Sequence, residues 1–207
     1  MRKINKFAPL MLILAMIGSL WFACSNSIEP SPDPGRLQII LQHDPTDTLV
    51  EVGTKTIPLD PRDILWINIF QGKAFIDSIY FILYENPSTS FAGENYYNVF
   101  GRTEGNNLTA HMIFDSYLPP DNFTSFQFGI SAMYMLLTHG YAFGGVEIPM
   151  QTAPGMSRLV SIDQNFSIEE NKVTEIRLYL KSFQSVTRYR DIFYFVPKLE
   201  VISVTTK

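Results

Sequence analysis

The sequence contains a single cysteine, Cys24, and only three histidines among its 207 residues. One cysteine cannot form a disulfide within the chain, so the fold must be stabilised by packing alone. The histidines, His43, His111 and His139, are scattered, and no two of them have the spacing of zinc ligands. We therefore predict no metal site and no cofactor.

Positive charge is also scarce. The chain has 16 basic and 20 acidic residues, and Arg2, Lys3 and Lys6 lie at its very beginning. The remainder carries 13 basic and 20 acidic residues, a net charge of −7. An acidic surface repels phosphate, which argues against nucleic acid as a partner.

The familiar catalytic motifs are missing as well. There is no Gly-rich phosphate loop and no His-Glu-X-X-His, and residues 155–158 do not complete a Gly-X-Ser-X-Gly elbow. We predict that the protein is not an enzyme. Ser–His–Asp triads and carboxylate pairs assemble in space without a fixed spacing, so a hydrolase stays open as an alternative.

The first 24 residues form the most informative pattern that is present. The three basic residues are followed by an apolar run, FAPLMLILAMIGSLWFA, which ends at Ala23 directly before Cys24. A cationic head, an apolar run and a small residue are typical of a secretory signal. We expect residues 1–24 to be a lipoprotein signal peptide with Cys24 lipidated, which would anchor the protein in the membrane.

Two other interpretations of this segment stay open. Trp21 and Phe22 stand where lipoproteins usually have leucine and a small residue, so an ordinary signal peptidase could cut near Ala23 and leave a free thiol. The apolar run could also be retained as one membrane span. All three place the remaining chain outside the cytoplasm, in the cell envelope. Ser25, rather than aspartate, after the cysteine resembles the pattern of lipoproteins sent to an outer membrane, and that resemblance implies an outer membrane location.

Residues 25–35, SNSIEPSPDPG, predict an extended tether because proline alternates with small polar residues. From residue 36 onward apolar residues recur with a period of two. Apolar residues alternate with polar ones at Leu37, Ile39 and Leu41, and along 126–136. The stretch 64–84 is apolar enough for a short helix, but Gly72 and its β-branched residues favour two strands. We predict an all-β domain over 36–207, a single antiparallel β-sandwich.

Two alternating runs near the carboxyl end predict a hairpin. Val160, Ile162, Phe166 and Ile168 share one face, and residues 169–172 form a turn. Beyond the turn, residues 176, 178 and 180 are apolar and alternate with polar residues.

The carboxyl half, residues 145–204, resembles a bacterial lipoprotein family of unknown function with a transthyretin-like or carbohydrate-binding-like β-sandwich domain. The matching features are the VEIPM strand, a Pro-Gly turn, the strand that ends in NFSIEENK and its neighbour, a serine-containing step at 183–186, and a last strand with Pro197. The opening GRLQIILQHDPTD also looks like that family's first strand. Where the family commonly has Leu-Asp-Phe-Asp, this chain has LYLK at 178–181, which would remove a cation site. The resemblance implies a fold and a location, not an activity.

Asp-Pro-X-Asp occurs twice, at residues 44–47 and 60–63. Each copy offers two carboxylates, fewer oxygens than calcium requires, and an Asp-Pro turn in which the first aspartate caps its own backbone is the simpler interpretation.

Aromatic residues in a loop-rich stretch offer a candidate binding site. Phe91, Tyr96 and Tyr97 lie beside Asn, Glu and Gly residues and could stack on a glycan, although packing of alternate rings in the core is the simpler interpretation. The expected function is a non-catalytic structural or interaction module on a membrane-anchored extracytoplasmic lipoprotein. The expected partners are the membrane, through Cys24, and a cell-surface glycan or protein. The alternatives are a glycan-binding module and a pilus-like or adhesin subunit.

Overall fold

The computed structural model describes residues 31–52, 55–85, 95–103, 107–138 and 145–207. Cys24 and Phe91, and with them the predicted signal peptide and most of the tether, lie outside the described residues. The chain divides into two compact units, Met1–Ser31 and Pro32–Lys207. The described strands all belong to the second unit, and the first of them begins at Gly35.

The described residues contain strands and no helix, which confirms the all-β fold. A membrane-crossing helix is accordingly not found among them. The strands are β1 (Gly35–His43), β2 (Leu49–Val52), β3 (Lys55–Pro58), β4 (Ile64–Ile76), β5 (Ile79–Ile82), β6 (Tyr96–Asn98), β7 (His111–Leu118), β8 (Asp121–Leu137), β9 (Val146–Thr152), β10 (Leu159–Ile168), β11 (Val173–Leu180), β12 (Val186–Tyr189), β13 (Ile192–Phe195) and β14 (Leu199–Thr206).

The described strands form two larger sheets and one separate hairpin. The smaller of the two sheets has the order β14-β11-β1-β7. The larger has the order β12-β13-β9-β8-β4-β5, with β10 added beside β8 and β6 beside β4, while β2 and β3 pair only with each other. Neither larger sheet is purely antiparallel, because β1 runs parallel to β11 and β13 runs parallel to β9. The sandwich-like fold is confirmed, and these two parallel pairings are an addition to the antiparallel arrangement expected from the sequence.

Apolar side chains from both larger sheets form one core. Leu37 and Ile39 of the small sheet and Ile67 and Phe126 of the large sheet are fully buried in the same cluster. The ring of Phe114 on β7 meets the ring of Phe128 on β8 edge to face, with centroids 5.8 Å apart. Because β7 and β8 belong to different sheets, this contact is direct evidence that the sheets pack face to face.

The alternation predicted for β1 and β11 is confirmed. Leu37, Ile39 and Leu41 on β1 are at most 1% exposed. The apolar residues of β11, Ile176, Leu178 and Leu180, are all 0% exposed. Since the two strands are neighbours in register, Ile39 beside Ile176 and Leu41 beside Leu178, their inward faces form one continuous surface of the core.

The predicted hairpin between β10 and β11 is wrong. β10 pairs with β8 in the large sheet, whereas β11 pairs with β1 and β14 in the small sheet. Residues 169–172 therefore cross from one sheet to the other. Lys172 N–H donates to the Glu169 carbonyl at 3.3 Å, and Asn171 adopts a positive φ of 57°, a conformation that asparagine tolerates better than most residues.

The alternation along β8 also differs from the prediction. Phe126 and Phe128 face the core as expected, but Met135 and Leu137 are buried where Tyr134 and Leu136 were predicted to be. Trp66 of β4 lies opposite Tyr134, and the next residue, Ile67, lies opposite Ala132, so Met133 is an extra residue in the strand. A bulge of this kind reverses which side chains face inward beyond it.

The ambiguous stretch 64–84 forms two strands, as favoured from the sequence. β4 and β5 are joined by a two-residue turn, and a second bulge occurs where Gln71 and Gly72 interrupt the pairing of β4 with β8. A Cβ atom at Gly72 would lie 2.4 Å from the ring of Phe114. Glycine is required here because the core phenylalanine packs directly against the backbone.

Candidate functional site

The two Asp-Pro-X-Asp sequences form a matched pair of turns. Asp44 accepts a hydrogen bond from the Thr46 backbone N–H at 2.9 Å, and Asp60 accepts one from the Arg62 backbone N–H at 2.9 Å. Each turn is closed by a backbone bond from its fourth residue to its first, 3.0 Å in the first copy and 2.9 Å in the second. This is the aspartate-capped turn predicted from the sequence.

The last aspartate of each turn has a role that the sequence did not indicate. Asp47 and Asp63 are buried, and each carboxylate accepts hydrogen bonds from a distant segment of backbone. Asp47 binds the N–H of Phe183 at 2.8 Å. Asp63 binds both the backbone N–H and the hydroxyl of Thr138, at 2.7 and 2.9 Å. These carboxylates therefore hold together parts of the chain that are far apart in sequence.

His43 is the last residue of β1 and lies beside the first of these turns. Together with Ser182, Asp44 and Asp47 it forms a polar cluster. Its Nδ1 atom is 2.9 Å from the Ser182 hydroxyl oxygen, and both residues are 0% exposed. The imidazole ring contacts the rings of Phe100 and Phe183 edge to face, at centroid distances of 5.0 and 5.8 Å. Burial lowers the pKa of His43, although the nearby Asp47 carboxylate offsets part of this effect, so the ring is neutral at pH 7.

A histidine, a serine and two carboxylates lie close together here, which invites comparison with a catalytic triad. In a catalytic triad the nucleophile is accessible to the substrate. One imidazole nitrogen faces the nucleophile, and a carboxylate bonds to the other nitrogen and so orients the ring. Ser182 is fully buried, and the carboxylates of Asp44 and Asp47 bind Thr46 and the Phe183 backbone instead of the imidazole. The geometry is therefore that of a structural polar cluster in the core.

The electrostatics of Asp44 agree with this structural role. Burial tends to raise the pKa of its carboxyl group, but hydrogen bonds from Thr46 and the positive charge of Lys181 outweigh it and hold the pKa below its ordinary value. The carboxylate is thus stabilised as an anion and is not poised to exchange protons near pH 7.

An open cavity of about 470 Å³ adjoins this cluster. Its lining comes from the end of β1, the turn that follows, the end of β3 and a short bridge between Arg102 and Leu108. The lining residues are Gln42, His43, Pro45, Thr48, Pro58, Leu59, Arg102, Asn107 and Leu108. A cavity of this volume lies within the range of small-molecule sites, roughly 300–1,000 Å³.

The two tyrosines predicted as glycan contacts are separated by the fold. Tyr97 is only 3% exposed and packs against His111, with ring centroids 5.3 Å apart. Burial and the charge of Glu85 raise its pKa to about 12. Tyr97 belongs to the core and offers no face to a sugar, so its assignment as a glycan contact is wrong. Tyr96 is half-buried on the opposite face of β6, and Phe91 lies outside the described residues.

The two remaining histidines, His111 and His139, were also expected not to bind a metal. His111 donates from Nε2 to the Asn98 carbonyl at 2.9 Å, and His139 lies outside the described residues. Within the described part of the chain, no three His, Cys, Asp or Glu residues are grouped so that they could hold a metal ion.

Comparison with known proteins gives no relative. No family model matches the chain, and neither a curated protein nor a solved structure does.

The polar cluster could be found in part from the sequence. The alternation of Leu37, Ile39 and Leu41 continues to His43, so the same argument that buries the leucines also buries the histidine. Ser182 carries no such signal, because it follows the end of β11 and its approach to His43 depends on the parallel pairing of β1 with β11.

Proposed function

We propose that this protein is a lipid-anchored lipoprotein of the bacterial cell envelope whose β-sandwich is a non-catalytic interaction module. The observation that carries the proposal is the order of residues 1–24: a basic head, an apolar run, a small residue and then the only cysteine of the chain. Lipidation explains why a chain of 207 residues uses cysteine at this position alone.

The absence of accessible chemistry in the His43 cluster supports the non-catalytic part of the proposal. The hydroxyl of Ser182 is buried, and the imidazole that faces it has no carboxylate as its second partner among the described residues. A serine nucleophile in this position could not reach a substrate without opening the core.

Metabolic labelling tests the anchor. Cells that express the full chain are grown with a fatty-acid analogue, and the protein is recovered and assayed for label. We expect wild type and Ser25→Ala to be labelled and found in the membrane fraction, whereas Cys24→Ser is unlabelled. Equal labelling of Cys24→Ser would overturn the proposal.

The length of the product separates the two alternatives. Cleavage near Ala23 without a lipid gives a shortened, unlabelled protein with a free thiol at Cys24. A retained membrane span gives an unlabelled chain that keeps its first residues, which mass spectrometry of the intact protein would show. Either result would contradict lipidation.

A further inference from the structure

β5 ends the large sheet, and within the described part of the chain no strand lies beside its outer edge. Backbone groups of successive residues point to alternate sides of a strand. Leu83 N–H donates to the Gly72 carbonyl of β4 at 2.9 Å, whereas Tyr84 N–H donates away from β4, to a hydroxyl of β7 at 2.6 Å. The N–H and C=O groups of Tyr80 and Ile82 therefore face away from β4, toward the open edge.

This edge lacks the charged residues that protect the other ends of the two larger sheets. Of the four strands that end the two sheet orders, β14 carries Glu200, β7 carries Asp115 and β12 carries Arg188. β5 reads IYFI and has neither a charged residue nor a proline. An apolar edge without charge or proline is a template for pairing with another strand. β5 is therefore the sheet end best suited to association.

The side chains beside this edge are exposed and apolar. By alternation Tyr80, Ile82 and Tyr84 share the outer face of the sheet, and they are 52%, 65% and 69% exposed. The ammonium group of Lys73 lies 4.4 Å from the centroid of the Tyr80 ring and holds that ring against the sheet. The free edge is thus bordered by a row of large side chains that water covers in the single chain.

We propose that β5 pairs with β5 of a second copy of this chain, antiparallel and about a twofold axis at Phe81. This register places Tyr80 opposite Ile82 of the partner subunit, and Ile82 opposite Tyr80 of the partner subunit. In an antiparallel sheet, opposed residues whose N–H and C=O groups face each other exchange two hydrogen bonds. Both opposed pairs meet this condition, so the two large sheets join into one continuous sheet.

A second copy fits this edge better than a longer strand would. The free ladder stops after Ile82, because Tyr84 N–H bonds to the Ser116 hydroxyl and the Tyr84 carbonyl accepts from Asp115 N–H at 3.1 Å. A strand as short as β5 therefore satisfies both free residues. A twofold axis satisfies the edges of both copies at once. Each opposed pair also joins an aromatic to a β-branched side chain, a favourable cross-strand combination.

The size of the contact sets its strength. Large side chains bury about 150–250 Å² each when fully covered, so the three exposed ones leave roughly 300 Å² uncovered on each copy. An interface built around them falls below about 1,200 Å² in total, the size of weak and transient associations. The dimer is therefore reversible. It depends on the β-sandwich alone, so it can hold or fail whether or not Cys24 is lipidated.

Sedimentation equilibrium of the purified full chain in a mild detergent tests this pairing. We expect a monomer–dimer equilibrium with a dissociation constant of about 1–100 μM. Ile82→Lys should raise this constant by about tenfold or more, because each copy then brings a charge into the shared edge. Ile202→Lys makes the same change at an exposed position on β14 and should dimerise as wild type does. A chain that stays monomeric up to about 1 mM, or equal effects of the two substitutions, would overturn the proposal.

Cysteine cross-linking tests the register and does not depend on the folding of Ile82→Lys. Tyr80→Cys and Ile82→Cys are made separately in Cys24→Ser, a background without any other thiol. With an added oxidant, a mixture of the two variants should give more disulfide-linked dimer than either variant alone, because the register places residue 80 beside residue 82. Ile202→Cys in the same background is the control and should give only background dimer. A mixture that yields no more dimer than this control would overturn the proposal.

Discussion

Asp63 shows how a single side chain can hold together two distant parts of this fold. It is 1% exposed and accepts three hydrogen bonds: two from Thr138, just after β8, and one from the Asp60 backbone N–H within its own turn at 2.8 Å. Hydrogen bonds to a charged group contribute about 1.5–3 kcal/mol, more than those between neutral groups. The carboxylate is therefore worth more to stability than a turn residue usually is.

We predict that Asp63→Ala lowers the free energy of unfolding by about 3 kcal/mol, because it leaves buried backbone N–H groups without an acceptor. Urea denaturation of the full chain would measure the change. Asp191→Ala removes the same group from a side chain that is 99% exposed and should stay within about 0.5 kcal/mol of wild type. Similar losses in the two variants would contradict this role for Asp63.

At the scale of the element, the carboxyl half of β11 has one buried face and one outer face. Leu178 is 0% exposed and packs in the core, whereas the adjacent Tyr179 is half-buried on the outer face. β11 is also flanked on both sides, by β1 and β14, so it cannot move away from the core to relieve a poor contact.

We predict that Leu178→Asn costs about 3–5 kcal/mol, from lost apolar burial and an amide without partners, and that Tyr179→Asn costs about 1 kcal/mol or less. The two substitutions introduce the same side chain at neighbouring positions, so each serves as the control for the other. Thermal melts in the reverse order would show that the faces of β11 are assigned wrongly.

The bulge at Met133 leads to a testable prediction about the register of β8 against β4. Met133 is 48% exposed and has no opposite residue on β4. Deleting it would place Tyr134 directly after Ala132 and restore simple alternation, with Met135 and Leu137 still inward and Tyr134 and Leu136 still outward. We therefore expect the Met133 deletion to unfold cooperatively, as wild type does, and Met133→Thr to melt within a few degrees of wild type, because neither change moves a buried side chain to the outer face. Loss of cooperative unfolding in the deletion variant would contradict this prediction and would show that the bulge itself is needed.

These strands also show which features of the fold a local sequence pattern can predict. Alternation correctly predicted the inward faces of β1 and β11, because these two strands pair with each other without a register shift. It could not show that β10 and β11 lie in different sheets, since two alternating runs joined by a short turn look the same in a hairpin and in a crossing between sheets. Met133 was missed because an extra exposed residue leaves no compositional signal. Ser182 and Arg102 were missed because long-range pairing alone brings them near His43.

At the scale of the whole molecule, the buried ionisable groups should make the protein sensitive to acid. Burial lowers the pKa of both His43 and His111 below 6.5. In the unfolded chain each histidine binds a proton below about pH 6.5, whereas the native state does so only at lower pH. The unfolded state therefore takes up more protons, and stability falls as the pH decreases from 6.5.

We predict that the free energy of unfolding decreases by up to about 1.4 kcal/mol per pH unit for each of these histidines as the pH falls from 6.5. His111→Gln should make this dependence shallower without changing its direction. Asp44 and Glu175, whose pKa values are also lowered, add to the loss only below about pH 4.5. Denaturation curves between pH 7.5 and pH 5, roughly the range over which histidine titrates, would measure the slope. An unchanged slope in His111→Gln would contradict the prediction.

The position of β1 has a consequence for how the chain can fold while it is being made. β1 is the first strand of the part of the chain that the structure describes, yet its parallel neighbour, β11, ends only at Leu180. A nascent chain that emerges amino terminus first therefore exposes Leu37, Ile39 and Leu41 well before that neighbour exists. Pairing between such distant segments is slow, and unpaired apolar strands are what chaperones recognise. The small sheet can therefore be completed only after the carboxyl-terminal strands β11 and β14 have been made.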